Sequence, residues 1–176
     1  FKGERLSLKM FGARGDGVTS DTSALQSAFD SGQHIFVPAG NYLIDAPVVK
    51  DLTISAGFFM DGRGNASKFI LANKATRIEM YGAPSITTHD SHCYLRHFLI
   101  DCQAADGSGN SALFMNKCAV WGIENVRIRA SLGYRSFKIS LANLVSITVA
   151  TGIATVQTTT PHLVAVGDAI FVYGST

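Results

Sequence analysis

The sequence predicts an all-β protein in which short strands coil into a solenoid, with one short α-helix near the N-terminus. Three observations lead to this prediction. A helical pattern near residues 21–31 runs directly into short apolar segments. Those segments are separated by glycine turns and not by further helices, which disfavours a βαβ architecture. A stretch of the later sequence also repeats at a constant spacing, as stacked coils require.

The helix is marked by a capping residue, an apolar face and a stop. Asp21 can accept a hydrogen bond from the free N–H groups of the first turn. Gly32 interrupts the helical pattern after the last apolar position. The apolar face has helical spacing and consists of Ala24, Leu25, Ala28 and Phe29. We therefore predict an amphipathic helix near residues 21–31.

Short strands are predicted on both sides of this helix. Residues 1–9 alternate at Leu6 and Leu8 and predict a lead-in strand. Residues 35–37 and 42–44 are apolar and flank a turn that contains proline and glycine. Further short apolar segments follow within residues 46–72, again divided by glycine turns.

A repeat of 28 residues appears in the later part of the chain. The segment from Leu95 to Asp101 aligns with the segment from Ile123 to Arg129 at a constant offset. Like residue types then stack at the spacing of neighbouring strands, about 4.8 Å. The alignment also places opposite charges side by side, as in a cross-strand ladder. The predicted neighbours are Leu95 and Ile123, Phe98 and Val126, Ile100 and Ile128, Arg96 and Glu124, and Asp101 and Arg129.

The character of the chain changes after about residue 131. Threonine and valine become frequent, and strands are predicted over residues 146–150, 154–159 and 170–173. We therefore predict two domains, a stack of coils over residues 1–131 and a small β-meander or barrel-like module over residues 132–176. A short stack leaves an open edge, so we expect that the polypeptide continues or that another chain covers this end.

Composition limits the classes of function. The chain has 176 residues, of which 47% are hydrophobic and 16% charged, and its net charge is +2. This composition predicts a folded domain with a sizeable core and gives no basic patch for nucleic acid. No apolar run is long enough to span a membrane. The three cysteines, Cys93, Cys102 and Cys118, show no paired spacing and predict buried free thiols.

The N-terminal sequence resembles a known family. The motifs are FGARGDGVTSDTSALQSAF at residues 11–29 and FVPAGNYLI at residues 36–44. Together they resemble the entry segment of the pectate-lyase-like right-handed parallel β-helix family, which includes polygalacturonase relatives, alginate epimerases and bacteriophage tailspikes. The resemblance extends over roughly residues 6–130. It implies a right-handed parallel β-helix whose N-terminal helix covers the open end of the apolar core.

Candidate catalytic residues are carboxylates of the later coils. Polysaccharide hydrolysis normally uses two carboxyl groups about 5 to 9.5 Å apart. Asp101, Glu124 and Asp106 are the candidates that adjacent coils could bring together. A structural explanation competes with each of them, because Asp101 and Glu124 have predicted arginine partners and Asp106 lies in a glycine-rich turn. The Tyr81–Pro84 segment departs from the catalytic motif of the alginate epimerases, which argues against epimerase activity.

Candidates for ligand binding are fewer. Trp121 and Tyr134 have flat rings that could stack on sugars, although Trp121 is also a reasonable core residue. His89 and His92 would face opposite sides of a strand, so no metal site is predicted. The Gly15–Gly17 loop lacks the residues of a phosphate or calcium loop and is predicted to be structural. We predict no cofactor.

The resemblance implies three alternative functions. The first is a fragment of a phage tailspike, a homotrimer in the virion tail that binds and cleaves a capsule or O-antigen polysaccharide and contacts other tail or baseplate proteins. Such a protein is made in the host cytoplasm, in keeping with free thiols. The second is a secreted lyase, hydrolase or epimerase, and the third is a non-catalytic adhesin or tail rod. In tailspike relatives the catalytic acids usually lie on later coils or between subunits, so this chain alone is expected to be inactive.

Overall fold

The computed structural model contains one α-helix and fourteen strands in the part of the chain that it describes. It divides into two compact units, Phe1–Ala142 and Asn143–Thr176. The prediction of an all-β protein with one short helix is confirmed. The described residues are 5–53, 57–73, 75–82, 92–102, 111–116, 118, 120–130, 135–140, 144–150 and 153–158.

The helix α1 spans Thr22–Asp30, and two short 3-10 helices span Leu8–Phe11 and Gly64–Ala66. The strands are β1 (Arg5–Ser7), β2 (Asp16–Ser20), β3 (His34–Phe36), β4 (Gly40–Ile44), β5 (Val48–Asp51), β6 (Phe58–Asp61), β7 (Ser67–Leu71), β8 (Ile78–Tyr81), β9 (His92–Cys102), β10 (Ser111–Asn116), β11 (Val120–Ala130), β12 (Arg135–Ser140), β13 (Leu144–Ala150) and β14 (Ile153–Thr158). None of the helices in the described residues is long and apolar enough to cross a membrane.

Strands β1 to β12 form three parallel ladders in which the strands follow one another in chain order, and β11 extends the first two ladders by pairing with β9. The first ladder joins β1, β3, β6 and the first half of β9. The second joins β2, β4, β7 and the second half of β9. The third joins β5, β8, β10 and β12. Parallel strands need long crossovers, and here each crossover passes through strands of the other ladders.

The first two ladders are joined because β9 bends. Its residues Cys93–Arg96 pair with β6, and its residues Leu99–Asp101 pair with β7. The bend lies at His97, whose φ of 55° is in the left-handed region, and Asn125 of β11 has a φ of 51° beside it. Non-glycine residues seldom adopt this conformation. The two bent strands turn one continuous sheet around a corner.

The predicted 28-residue register is confirmed. Strand β11 pairs with β9 in parallel, and all five predicted neighbour pairs are register partners. The Arg96 Nε lies 2.8 Å from a carboxylate oxygen of Glu124. The Arg129 guanidinium binds Asp101 through both Nε, at 3.2 Å, and Nη2. Residues 28 positions apart therefore occupy neighbouring places on the sheet.

The core consists of like residues stacked along each ladder. The ring of Phe69 packs against the ring of Tyr42, at 5.7 Å between centroids, and edge-on against Phe98, at 5.5 Å. Each fully buried apolar side chain contributes about 1.5–3 kcal/mol relative to an exposed one. The inward stacks are Ile35, Met60 and Leu95 in the first ladder, Tyr42, Phe69 and Ile100 in the second, and Val48, Ile78 and Leu113 in the third, all fully buried.

The predicted helix is confirmed, and it covers the edge of the third ladder. Its predicted apolar face is buried in the core, and its neighbour is the edge strand β5. The side chain of Gln26 accepts a hydrogen bond from the Val49 N–H at 3.0 Å and donates one to the Val49 carbonyl at 2.9 Å. The buried Lys50 ammonium donates to the Phe29 carbonyl, at 2.6 Å, near the C-terminal end of the helix.

The predicted capping role of Asp21 was wrong. Its carboxylate makes no bond to the first turn of α1. It is buried and accepts hydrogen bonds from the backbone N–H groups of Arg14, at 2.6 Å, and Gly15, at 3.0 Å. Asp21 therefore fastens the glycine-rich loop to the start of the helix.

Two further local predictions can be compared with the structure. The lead-in strand is shorter than predicted, because Leu8 begins a 3-10 helix that buries its side chain. The three cysteines are buried free thiols as predicted, and burial raises the pKa of Cys102 to about 12 and that of Cys118 to about 11.

The smaller unit contains an antiparallel hairpin of β13 and β14 within its described residues. These strands coincide with the predicted strands near residues 146–150 and 154–159. The predicted strand at residues 170–173 lies outside the described residues. Strand β12 pairs with β10 and belongs to the larger unit, and the two units meet in sequence between residues 142 and 143.

Replacement of Gln26 tests the role of α1 as an edge cover. We expect Gln26→Ala to lower the free energy of unfolding by about 2 kcal/mol, because a partly buried N–H and carbonyl of Val49 lose their partner. Urea unfolding followed by circular dichroism measures this change. Gln33→Ala is the matched control, since Gln33 is exposed, and should change stability by less than about 0.5 kcal/mol. Equal effects of the two substitutions would contradict this role.

Candidate functional site

The outer side of the first ladder carries an unusual concentration of aromatic and charged side chains. Buried residues alternate with partly exposed ones along β6 and β9, so two rows of side chains point away from the core. We call these two rows the charged-aromatic face. The first row is Arg5, His34, Phe59, Tyr94 and Gly122, and the second is Ser7, Phe36, Asp61, Arg96 and Glu124.

Rings and guanidinium groups stack along the first row. The guanidinium carbons of Arg5 and Arg96 lie 5.1 Å and 5.7 Å from the centre of the Phe59 ring. The imidazole of His34 meets the same ring edge-on, at 6.2 Å. These contacts are within the range of cation–π and edge-to-face interactions. The face is therefore held in a defined arrangement by its own side chains.

Tyr94 owes its position to the glycine beside it. A Cβ at Gly122 would lie 2.7 Å from the Tyr94 ring, closer than real contacts allow. The ring therefore lies in the space that any other residue at position 122 would fill. Tyr94 is only partly buried. It gives the face a broad aromatic surface next to its charged groups.

The charged groups form a network around His97. The imidazole Nδ1 lies 2.8 Å from the Asp61 carboxylate, and Nε2 lies 3.9 Å from the Glu124 carboxylate. Arg5 binds the second oxygen of Asp61 at 2.5 Å. Since an ionised carboxylate only accepts hydrogen bonds, the Asp61 contact favours the tautomer with the proton on Nδ1.

The backbone fixes the place of this histidine. The left-handed turn at His97 points its ring toward Asp61, and its carbonyl packs against Gly62. A Cβ at Gly62 would lie 2.3 Å from that carbonyl oxygen, so only glycine fits. The left-handed backbone at His97 thus causes both the bend between the first two ladders and the position of the imidazole.

The carboxylates of the network are engaged by neighbouring side chains. Asp61 and Glu124 are two strands apart in one row, and both contact the His97 imidazole. Each carboxylate already holds a guanidinium, from Arg5 or Arg96, so positive and negative charges balance. The arrangement offers donors and acceptors at fixed positions around a neutral surface.

Of the predicted catalytic residues, the structure describes Asp101 and Glu124 and does not bring these two together. Asp101 is buried against Arg129, and Glu124 is exposed beside Arg96. Their places on the paired strands differ by five residues, which corresponds to roughly 15 Å along a strand. Whether either residue takes part in catalysis stays a prediction.

The remaining predicted site residues are only partly described. Asp106 and Tyr134 lie outside the described residues. Trp121 belongs to β11 and pairs through its backbone with Cys93, while its side chain lies outside the description. Among the described residues, no three histidine, cysteine, aspartate or glutamate side chains converge as metal ligands would.

Sequence reasoning missed Asp61, His97 and Tyr94. Asp61 lies beside Arg96 because Met60 stacks on Leu95, 35 positions later. The available signal was the repetition of an aromatic, an apolar and a charged residue, Phe59–Asp61 and Tyr94–Arg96. This match has an offset of 35 residues, so an alignment at the constant offset of 28 does not find it.

A second buried acid lies on the outer side of the third ladder. Glu79 is 5% exposed and accepts hydrogen bonds from Arg77 Nε at 2.9 Å and Asn116 Nδ2 at 2.8 Å. Both carboxylate oxygens are thus engaged by neighbouring side chains. This arrangement stabilises β8 and β10 and leaves Glu79 without a free oxygen for a ligand.

The two charge pairs on β9 and β11 differ in burial, which predicts different contributions to stability. The side chain of Asp101 is 5% exposed, whereas that of Glu124 is 56% exposed. We expect Arg129→Leu to lower the thermal midpoint by several degrees, because a buried carboxylate loses its partner. The matched control Arg96→Leu should shift it by only about 1 °C. Scanning calorimetry measures both, and equal shifts would contradict the structural role of Asp101.

Known proteins resemble this chain in sequence. The family described as rhamnogalacturonase A/epimerase, pectate lyase-like, matches residues 6–84. The pre-neck appendage protein of Bacillus phage phi29 is 28% identical over 99 residues, which cover 54% of this chain and 11% of that protein. The mannuronan C5-epimerase AlgE5 of Azotobacter vinelandii is 38% identical over 66 residues, 33% of this chain and 7% of that enzyme. The chain thus spans about a tenth of the length of these relatives.

Solved structures agree on the fold. The crystal structure of the pre-mature bacteriophage phi29 gene product 12 superposes on 70% of this chain with a TM-score of 0.54 and 23% sequence identity, and the match covers 17% of that protein. Similarity at this level concerns the fold. The family match covers α1, β1–β8 and the first half of the charged-aromatic face. Residues 6–84 of the chain therefore resemble pectate-lyase-like proteins, as predicted, and phage appendage proteins are among the relatives of the chain.

Proposed function

We propose that this chain is part of a phage tailspike or tail appendage, and that its charged-aromatic face binds a bacterial surface polysaccharide such as a capsule or an O-antigen. The three parallel ladders are successive faces of a right-handed parallel β-helix in this proposal. The pectate-lyase-like domain and the phage appendage relatives support the assignment to a virion tail. The single observation that carries the binding role is the placement of Tyr94 beside the His97 network.

Sugars have two chemical requirements that this face meets. The C–H side of a pyranose ring packs on an aromatic surface, while its hydroxyl groups need fixed donors and acceptors. Tyr94 provides the aromatic surface, and Arg96, His97 and Glu124 surround it on the same two strands. Because the network is already ordered, little side-chain entropy is lost when a ligand binds.

Cleavage of the polysaccharide belongs, in this proposal, to the full-length protein. The carboxylates of the charged-aromatic face are held by guanidinium groups, which favours a binding role for them. The catalytic acids then lie on later coils or between the subunits of a homotrimer. Other tail or baseplate proteins are the structural partners of such an assembly.

A secreted lyase, hydrolase or epimerase of the same fold is the second candidate. The 38% identity to a mannuronan C5-epimerase over 66 residues favours it. Tyr81 and Gly82 are followed by Ala83 and Pro84, and the catalytic epimerase motif is absent from this segment of the sequence. Epimerase activity would require a site elsewhere in the full-length protein. A non-catalytic adhesin is the third candidate, and it differs from the first by binding without cleavage.

Replacement of Tyr94 tests the binding face. We expect Tyr94→Ala to weaken binding to a capsule or O-antigen polysaccharide by about five- to thirtyfold, since a stacked ring contributes roughly 1–2 kcal/mol. A glycan array identifies the ligand, and calorimetry then measures the affinity. Tyr81→Ala is the matched control, because Tyr81 is a partly buried tyrosine on the third ladder. Unchanged binding by Tyr94→Ala would show that the charged-aromatic face is not the polysaccharide-binding site.

Turnover tests where catalysis resides. We expect the isolated chain to release no reducing ends or unsaturated products from the bound polysaccharide. In the full-length protein, Asp101→Asn and Glu124→Gln should each leave kcat at saturating polysaccharide within a few-fold of the parent, because both acids are engaged by arginines. A loss of several hundred-fold in the turnover of either variant would indicate that the replaced acid is catalytic.

A further inference from the structure

The two nitrogens of the His97 imidazole are in different situations. Nδ1 lies 2.8 Å from the Asp61 carboxylate, whereas Nε2 lies 3.9 Å from the Glu124 carboxylate. The first distance is that of a hydrogen bond, and the second is too long for one. With the proton on Nδ1, Nε2 carries a lone pair and accepts hydrogen bonds, as the carboxylate does. Two acceptors, Nε2 and Glu124, therefore lie side by side on the charged-aromatic face.

The neighbouring coil shows that the bend itself does not require an imidazole. Asn125 lies beside His97, between the register pairs that flank both residues. The two have the same left-handed backbone, with φ of 51° and 55°. Asparagine and histidine are both enriched in this conformation. Asparagine thus suffices for the turn on β11, and histidine at position 97 adds a ring that reaches Asp61 and can take up a proton.

The charged groups around His97 come from all the elements packed against it. The imidazole contacts the two carboxylates, and the nearest cations lie behind these, because Arg5 binds Asp61 and Arg96 binds Glu124. A protonated ring would thus have a carboxylate at each nitrogen. The full set is Asp61 of β6, Arg63 of the turn after it, Lys68 of β7, Arg96 of β9, Glu124 and Arg127 of β11, and Arg5 of β1.

We propose that protonation of His97 switches the charged-aromatic face from a sugar-binding to a closed form. The proton makes Nε2 a donor, which binds the Glu124 carboxylate. Glu124 is 56% exposed, so its side chain is free to move toward the ring. The two acceptors are then used by each other and lost to sugar hydroxyls. The proposal rests on the proposed function and adds its regulation, in which polysaccharide is held at neutral pH and released in acid.

A double-mutant cycle tests the pairing without any ligand. His97→Asn removes the proton site and keeps a residue suited to left-handed backbone. The attraction between His97 and Glu124 exists when the imidazole is charged, and it is lost as the pH rises. Glu124→Gln should therefore lower the thermal midpoint by about 1–2 °C more at about pH 5.5 than at about pH 8. In the His97→Asn background its effect should be equal at both pH values, and equal effects in the parent background would overturn the proposal.

Nuclear magnetic resonance measures the same event at the two side chains. The carboxylate carbon signal of Glu124 should shift as the pH falls and His97 takes up its proton. This shift should be absent from His97→Asn. His34→Asn is the matched control, because His34 is on the same face and its ring contacts Phe59 instead, and this variant should keep the shift. A Glu124 signal that behaves alike in both variants would contradict the pairing.

Binding to a glycan array measures the functional consequence. Array polysaccharides that bind in a Tyr94-dependent manner should bind at least about threefold more weakly at about pH 5.5 than at about pH 8, the effect of one lost hydrogen bond. His97→Asn should bind them equally at both pH values. Equal binding by the parent would overturn the regulation and leave the proposed function intact. If no array polysaccharide binds through Tyr94, the proposed function fails, and the ligand-free measurements still decide whether His97 and Glu124 pair in acid.

Discussion

Parallel ladders leave a row of unpaired backbone groups at each end, and the rest of this structure depends on how that edge is covered. At β5 the cover is a side-chain amide. Gln26 supplies Val49 with both a donor and an acceptor, as the next strand would have done. Lys50 ties the same strand to the end of α1 through the Phe29 carbonyl. With its first strand held in this way, the third ladder begins in a single register, and β8, β10 and β12 follow it.

That register determines the surface as well as the core. When Met60 stacks on Leu95 and Leu95 on Ile123, the residues that follow them must also align. Asp61, Arg96 and Glu124 therefore form a row of alternating charge on the outside. Core packing supplies most of the free energy that fixes the register, because exposed ion pairs contribute little. Outer side chains can thus be arranged for binding at small cost in stability.

Much of the architecture could be predicted from sequence, and the failures have physical causes. The 28-residue register was found because β9 and β11 are uninterrupted strands of equal length. The offset from Asp61 to Arg96 is 35 residues and not 28, so the match of this coil to β9 was hidden and Asp61 was missed. The left-handed backbone at His97 was equally invisible, because even the residue types that are enriched in this conformation adopt it only rarely. Asp21 was predicted to bind the N–H groups of the helix that follows it, but it binds those of the loop that precedes it. Residue type does not tell which backbone N–H groups a carboxylate will face.

The bend at His97 explains how two neighbouring surfaces of one pair of strands differ. Before it, each carboxylate is matched by a guanidinium, and the charged-aromatic face is close to neutral. After it, Arg127 follows Leu99 and Lys68 in a row without an acid. The two cations are separated by about 9.6 Å of sheet, so their mutual repulsion is screened by salt and costs little. Surfaces of different charge can therefore coexist on the two halves of β9 and β11.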